Sequence, residues 1–297
     1  MILDVKKFLE YLYNKQLKKW LIFSIVISIV LVTYALILPN QYTSRAVVIP
    51  VNQDLDNTAA NSTLSSLRGL GFGNFGLNVS GEVLDKDKTL RTIKSISFVE
   101  YFLNDEILKG FYAAKSYNKY SKEIIINEKI FDVENNDWVR KVPPLLTPRP
   151  SAQEFYRLYV PQLMVSEDRR TGLISISYEH ISPEFSKYLV EHVVNSLNEY
   201  MSIEAKNEAK RFIEYLKVEI QGNNIKEIDA VFNVLLQQNT QKMMYAEAKP
   251  DFALKYVSKP VVPLFKSGPS RAIICIFGFI FFQILFLLYG FYAFKRK

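Results

Sequence analysis

The residues of this chain that could support chemistry are few and lie far apart. The segment Gly71–Gly76 reads Gly-Phe-Gly-Asn-Phe-Gly and matches the G-x-G-x-x-G pattern that holds the pyrophosphate of a dinucleotide. That pattern needs a strand before it and a helix after it, whereas the sequence of residues 64–68 predicts only a weak helical turn. We therefore interpret residues 69–76 as a glycine loop of undetermined role and predict no cofactor there.

The other candidate groups lack suitable neighbours. His180 and His192 are too few for a histidine-based metal or acid–base site, and we expect them to pack or lie at the surface. Glu204, Glu208 and Glu214 are interspersed with basic residues, as on a solvated helix face. The sequence thus predicts no catalytic residue, no cofactor and no bound metal.

Two apolar segments bound the chain. Residues 20–38 run for 19 positions without a charge, and residues 272–294 for 23. A helix of about 20 apolar residues crosses a bilayer core, so each segment can span. No Ala-x-Ala cleavage site follows the first segment, which favours a retained anchor over a signal peptide.

The distribution of charge indicates the topology. The net charge is +7, but residues 1–19 and 295–297 together carry eight basic and two acidic residues, a net +6. Residues 39–271 carry 29 basic and 28 acidic residues, which leaves no basic face for nucleic acid. The basic tails follow the positive-inside rule and predict cytoplasmic termini. The only cysteine, Cys275, lies in the second apolar segment, so residues 39–271 cannot form a disulfide.

These patterns predict a bacterial inner-membrane protein with two spans and a periplasmic region. The predicted parts are a cytoplasmic helix (1–19), a first transmembrane helix (20–38), a periplasmic domain (39–271), a second transmembrane helix (272–294) and a cytoplasmic tail (295–297).

Within residues 39–271, the patterns predict a mixture of strands and helices. A strand at 41–50, a helix at 85–103 and a β-hairpin at 163–178 come first. Ser182 is a good N-cap and Pro183 suits the first turn of a helix that extends to Gln221, about 58 Å at 1.5 Å per residue. The inward apolar stripe of this helix is predicted to run through Phe185, Leu189, Val193, Leu197, Tyr200, Ile203, Phe212, Leu216 and Ile220. A second helix follows and ends before Lys249. We predict an α+β fold in which the long helices, about 183–248, form an antiparallel hairpin that projects from the membrane.

A proline-rich segment, residues 259–271, leads into the second span. Pro260, Pro263 and Pro269 follow the three-residue period of polyproline II, with Lys266 at the position that would complete it. We expect a stiff, extended rod, with Arg271 at the membrane boundary. The alternative is a linker that only stops a helix before the span.

The order of these motifs resembles the polysaccharide chain-length determinants, or Wzz-type polysaccharide co-polymerases, over nearly the whole chain. Three motifs between the two anchors carry the resemblance beside the Pro-x-x-Pro segment that ends at Arg271. They are the strand Tyr42-Thr43-Ser44-Arg45-Ala46, the sequence Arg170-Thr171-Gly172-Leu173-Ile174, and the helix start Ser182-Pro183-Glu184. Two features depart from the family pattern: Lys266 replaces a common proline, and the helical region is short.

The resemblance implies a membrane-proximal α/β domain and a ring-like homo-oligomer. It also implies a non-enzymatic regulator of surface polysaccharide length, for O-antigen or a related lipopolysaccharide or capsule glycan. The implied partners are a separate membrane polymerase and the growing lipid-linked glycan. Without a P-loop after the second span, the chain is similar to the kinase-free branch. A two-anchor periplasmic ligand sensor, an adaptor of envelope export and a membrane enzyme of glycan synthesis are the alternatives.

Overall fold

The computed structural model describes residues 17–51, 86–222 and 226–295. The chain divides into two compact units. We call Met1–Tyr42 together with Leu264–Lys297 the apolar-helix unit, and Thr43–Pro263 the α/β unit. The predictions for residues 1–16 and for the glycine loop 69–76 lie outside the described residues.

The described elements mix helices and strands, as predicted. The helices are α1 (Leu17–Ile37), α2 (Lys86–Thr92), α3 (Ile96–Phe102), α4 (Asp105–Leu108), a π-helical turn (Lys109–Ala113), α5 (Ala152–Gln162), α6 (Pro183–Gly222), α7 (Lys226–Ala248) and α8 (Arg271–Lys295). The strands are β1 (Tyr42–Pro50), β2 (Ala114–Asn118), β3 (Glu123–Ile126), β4 (Phe131–Asp132), β5 (Asp137–Trp138), β6 (Met164–Asp168), β7 (Leu173–His180) and β8 (Leu254–Ser258).

In the apolar-helix unit, α1 and α8 are each long and apolar enough to cross a membrane. Their bounds, Leu17–Ile37 and Arg271–Lys295, differ from the predicted 20–38 and 272–294 by one to three residues at each end. Lys18 and Lys19, assigned to a cytoplasmic helix, belong to α1, and Arg271 is the first residue of α8 rather than the last residue before it.

The two apolar helices contact each other through polar and aromatic groups. The indole Nε1 of Trp20 donates to Gln283 Oε1 at 2.6 Å, and Gln283 Nε2 donates to Ser24 Oγ at 2.8 Å. Phe23 stacks on Phe286 with ring centroids 5.1 Å apart. Satisfied amide and indole groups are what a helix pair in lipid requires, because no water is there to replace a lost partner.

The α/β unit is built on a four-stranded sheet in the order β6-β7-β1-β8. Burial alternates along β1, where Ser44, Ala46 and Val48 are buried, so one face of the strand packs on the core. β8 pairs antiparallel with β1, and β6 and β7 form an antiparallel hairpin. The predicted strand and hairpin are confirmed.

The predicted helix at 85–103 is wrong as a single element. It is interrupted at residues 93–95, and Ser95 caps a new helix by accepting a 3.2 Å hydrogen bond from Phe98 N. The break lets Ile93, Phe98 and Val99 all become fully buried. A serine that satisfies a free N–H at the start of a helix makes such a restart inexpensive.

The long helix and its antiparallel partner are confirmed. Ser182 Oγ accepts from Phe185 N at 3.2 Å, which caps α6 at the predicted residue. Opposed ion pairs then fix the antiparallel direction of α6 and α7: Lys206 meets Glu247 at 2.8 Å, and Glu208 meets Lys242 at 2.9 Å.

Most of the predicted apolar stripe of α6 is buried, including Phe185, Leu189, Val193, Leu197 and Leu216, but not all of it. Ile203 and Phe212, expected to point inward, are 42% and 41% exposed. The stripe instead continues through Met201, Ala205 and Ala209. Small alanines allow close approach of α7 at this level, so helix pairing selects them over larger apolar neighbours.

Candidate functional site

The first half of the proline-rich segment is attached to the sheet of the α/β unit. Pro260 is buried, and the carbonyl oxygen of Val261 accepts a 2.9 Å hydrogen bond from Ser44 Oγ. Ser44, on β1, is only 1% exposed, so water cannot satisfy its hydroxyl. The carbonyl oxygen of Val261 provides the partner that this buried group needs. The bond joins two family-like motifs that are 217 positions apart.

The second half of the segment is held within the apolar-helix unit. Gln41 N donates to Gly268 O at 2.9 Å, and Ser267 N donates back to Gln41 O at 2.8 Å. Closer in sequence to the two apolar helices, the Arg271 guanidinium donates to Leu38 O at 3.2 Å and to Asn40 Oδ1 at 3.1 Å. We call this pairing of residues 38–41 with 267–271 the collar.

The expected uninterrupted rod is wrong. The chain bends at Leu264 and Phe265, and the division between the two units falls between Pro263 and Leu264. The three-residue period fails at Lys266, where no ring fixes φ. The collar and the Ser44 hydrogen bond, rather than a continuous proline rod, therefore position the two halves of this segment.

The Arg170-Thr171-Gly172 motif forms the turn between β6 and β7. Gly172 has φ +70°, a left-handed conformation that glycine adopts without steric cost. Asp168 organises the turn by accepting from Thr171 Oγ1 at 2.8 Å and from Arg170 N at 2.9 Å. These hydrogen bonds, first of all the one from Thr171, hold the pKa of Asp168 below its usual value. Thr171 and Gly172 thus shape the turn, and the Arg170 side chain lies exposed beside it.

His180 belongs to the packing around the start of α6. Its Nδ1 accepts from Ser182 N at 3.1 Å, so Nε2 carries the proton and donates to Gly110 O at 3.0 Å. The ring lies 4.4 Å from that of Phe185. Burial lowers the pKa of His180 from 6.5 to about 4, so the ring is neutral at physiological pH.

His192 and Glu208, one of the α6 carboxylates, also make structural contacts. His192 Nε2 lies 3.0 Å from Phe102 O, which confirms a packing role for this histidine as well. Glu208 is committed to Lys242 across the helix hairpin, and Glu204 and Glu214 lie exposed on α6. Within residues 17–51, 86–222 and 226–295, no group of three or more His, Cys, Asp or Glu could hold a metal ion.

Sequence patterns missed the residue that ties α6 to β8. Asn198 is 3% exposed; its Nδ2 donates to Leu254 O at 2.8 Å, and its Oδ1 accepts from Ala253 N and Leu254 N at 2.9 and 2.7 Å. An asparagine next to Leu197, within an otherwise apolar stripe, was the available signal, because a buried amide must find partners. Gln41 was missed too, and nothing in its neighbourhood marks it as the centre of the collar.

A polar cleft opens beside Asn198. It has a volume of about 440 Å³ and lies between α6 and the connection from α7 to β8. Glu199, Glu247, Lys249 and Asp251 contribute charged groups to its lining. The cleft is an open surface feature with mixed charge rather than an enclosed site where a reaction could be shielded from water.

The structure gathers three of the four family-like motifs at one sheet. β7, which follows Arg170–Gly172, lies next to β1, which carries Ser44 and Ala46. β8 lies on the other side of β1 and runs directly into Pro260. The fourth motif, Ser182-Pro183, follows β7 after one residue and caps α6.

The solved structures that resemble this chain include two polysaccharide co-polymerases. The chain is 13% identical to a full-length bacterial polysaccharide co-polymerase, with a TM-score of 0.35 and 97% of each chain covered. It is also 13% identical to a fragment of WzzB, a polysaccharide co-polymerase from Salmonella Typhimurium, with a TM-score of 0.28, 77% of this chain and 100% of that chain covered. No protein-family model matches the chain, and no curated protein matches it. At these TM-scores the functional proposal rests on the residues of the chain itself.

Proposed function

We propose that this protein regulates the chain length of a surface polysaccharide together with a separate membrane polymerase. The observation that carries the proposal is the joining of β1 to the proline-rich segment through Ser44 and Val261, with β7 alongside. Motifs that are weak singly and distant in sequence thus meet at one sheet of the α/β unit. The regulated glycan is O-antigen or a related lipopolysaccharide or capsule glycan.

The proposal assigns the protein a scaffolding role and no catalytic step. Three of the side chains that could carry chemistry have structural roles: His180 and His192 contact backbone carbonyls, and Asp168 organises a turn. In this proposal the α/β unit presents a surface to the growing glycan or to the polymerase, and the collar fixes how residues 267–271 enter α8.

The membrane topology is part of the proposal. Two apolar helices support two spans, and the basic tails favour cytoplasmic termini, with the α/β unit in the periplasm. Reporter fusions near Asn57 and after Lys297 test this arrangement. A cytoplasmic signal from the Asn57 fusion would overturn it.

The proposal also includes a homo-oligomer of ring type. A domain without disulfides, with apolar groups such as Tyr215 and Val218 exposed at 58% and 69% on α6, gains stability when neighbouring copies cover its sides. Mass measurement in mild detergent should give several subunits. A monomer that still supports length control in cells would contradict this part.

The central experiment compares surface glycan ladders. Cells that lack the gene are complemented with the wild type or with a variant in which Pro260, Pro263 and Pro269 are all replaced by serine. Loss or shortening of the modal length is expected from the variant, although the protein is expressed and assembled normally.

A matched control uses three prolines of an exposed loop. Pro143, Pro144 and Pro148 are exposed, and their replacement by serine should leave the ladder unchanged. An unaltered ladder without the gene would refute the proposed function itself. Glycan extension by the purified protein alone would indicate a membrane enzyme instead.

A further inference from the structure

Two large apolar side chains of the apolar-helix unit are exposed outside its helices. Leu264 and Phe265 are 87% and 85% exposed. Among the described residues of this unit, every other exposed large apolar side chain belongs to α1 or α8. An adjacent Leu and Phe that are both exposed to water are unfavourable on a monomer surface. We therefore expect another molecule to cover them.

The collar keeps this pair near the ends of both apolar helices. Ser267 is paired with Gln41, four residues past the end of α1, and Arg271 at the start of α8 is bonded to Leu38. Phe265 lies two positions before Ser267, and a chain covers at most about 3.6 Å per residue, so the backbone of Phe265 lies within roughly 7 Å of the collar. The chain changes direction at Leu264 and Phe265, within this short stretch.

The residue types match the boundary between lipid headgroups and acyl chains. Leu and Phe are the apolar residues that enter this layer in interfacial segments. Lys266 follows them and is exposed, and its ammonium can reach phosphate groups while its methylenes lie along apolar surface. This boundary layer adjoins the acyl chains that would contact the exposed apolar faces of α1 and α8.

We propose that Leu264 and Phe265 insert into the bilayer interface as an anchor, with Lys266 at the headgroups and the collar holding the pair in place. The occupant of this surface is lipid rather than a second copy or the polymerase. The inference rests on the two-span part of the proposed function. Such an anchor fixes the depth of the collar in the membrane independently of any other subunit.

Site-directed spin labelling can test the anchor in the full-length protein. Cys275 is the only cysteine, so Cys275→Ala gives a background without reactive thiols. Phe265→Cys carries the label, and the protein is placed in nanodiscs of phosphatidylethanolamine and phosphatidylglycerol. The measurement is the accessibility of the label to oxygen, which concentrates in lipid, and to a water-soluble nickel chelate.

Two reference positions calibrate the result. Tyr120 is 99% exposed in the α/β unit and, as Tyr120→Cys, should report water. Ile280, 48% exposed on α8, should report lipid as Ile280→Cys. The ratio of oxygen to nickel accessibility at position 265 is expected to exceed that at position 120 several-fold. Adding Leu264→Asp should move the label at 265 toward water, whereas adding Leu145→Asp should not.

Each other outcome overturns the anchor. A label at 265 that the nickel chelate reaches as freely as at 120 lies in water. A label that neither reagent reaches is covered by protein, which would indicate a second copy or another subunit. If position 280 itself reports water, the two-span topology has failed, and that failure is distinct from failure of the anchor alone.

Discussion

His180 should make the stability of the α/β unit depend on pH below neutrality. Its Nδ1 faces the N–H of Ser182 at 3.1 Å, so a proton added at Nδ1 would meet another donor. The ring is also enclosed by Phe185 and by the backbone of Gly110. Both features oppose the charged form, and burial lowers the pKa of His180 to about 4.

The magnitude follows from the difference between the folded and unfolded pKa values. An unfolded histidine titrates near 6.5, so the unfolded chain takes up the proton first as the pH falls. The stabilisation is fully present above the unfolded pKa and is lost as the pH falls toward the folded pKa. Linkage gives a loss of about 2 kcal/mol between about pH 7.5 and about pH 5, and about 3 kcal/mol in total.

The assay is urea unfolding of the full chain in detergent, followed by the fluorescence of Trp138. Trp138 is 7% exposed in the α/β unit, and Trp20→Phe removes the other tryptophan. The control is His180→Gln, which retains an acceptor for Ser182 N and a donor for Gly110 O but does not titrate. Carboxylates contribute equally to both proteins, so the difference between their pH profiles isolates His180. Equal losses of stability in the two proteins would refute the reasoning.

Three further tests use substitutions at contacts that the structure shows. Asn198→Ala leaves three buried backbone groups without partners, and we expect a loss of about 3–5 kcal/mol in the free energy of unfolding, measured by the same assay; a loss below about 1 kcal/mol would contradict this role. Gly110→Ala would place a Cβ 2.0 Å from the ring of Phe185, so overpacking should cost about 1–3 kcal/mol, and a wild-type urea midpoint would show that the ring moves freely. Gln283→Leu and Trp20→Phe remove a bond between α1 and α8; a double-mutant cycle of stability in detergent should give a coupling of about 1 kcal/mol, and additive effects would show that the bond is not formed.

Local sequence was sufficient for several elements. Uninterrupted apolar stretches predicted α1 and α8, because a run of that length is helical wherever it is shielded from water. Gly172 predicted the β6–β7 turn, and Ser182 with Pro183 predicted the start of α6, because these residues satisfy backbone requirements within a few positions.

The same local rules failed where two elements compete for one face. α6 was expected to bury Ile203 and Phe212, but pairing with α7 favours Ala205 and Ala209 at the contact. The predicted rod from Pro260 to Arg271 bends at Leu264 and Phe265. Proline restricts its own φ, yet it does not set the direction of a segment whose ends are hydrogen-bonded elsewhere.

What the sequence by itself determined was the order of elements: an apolar helix, a strand, a hairpin, a long helix pair and a second apolar helix. What only the tertiary structure decided was which distant groups meet. Ser44 reaches Val261, Gln41 reaches Gly268, and Asn198 reaches Leu254. Periodicity and propensity act over a few residues, whereas a buried hydroxyl or amide takes whichever partner the folded chain brings within about 3 Å.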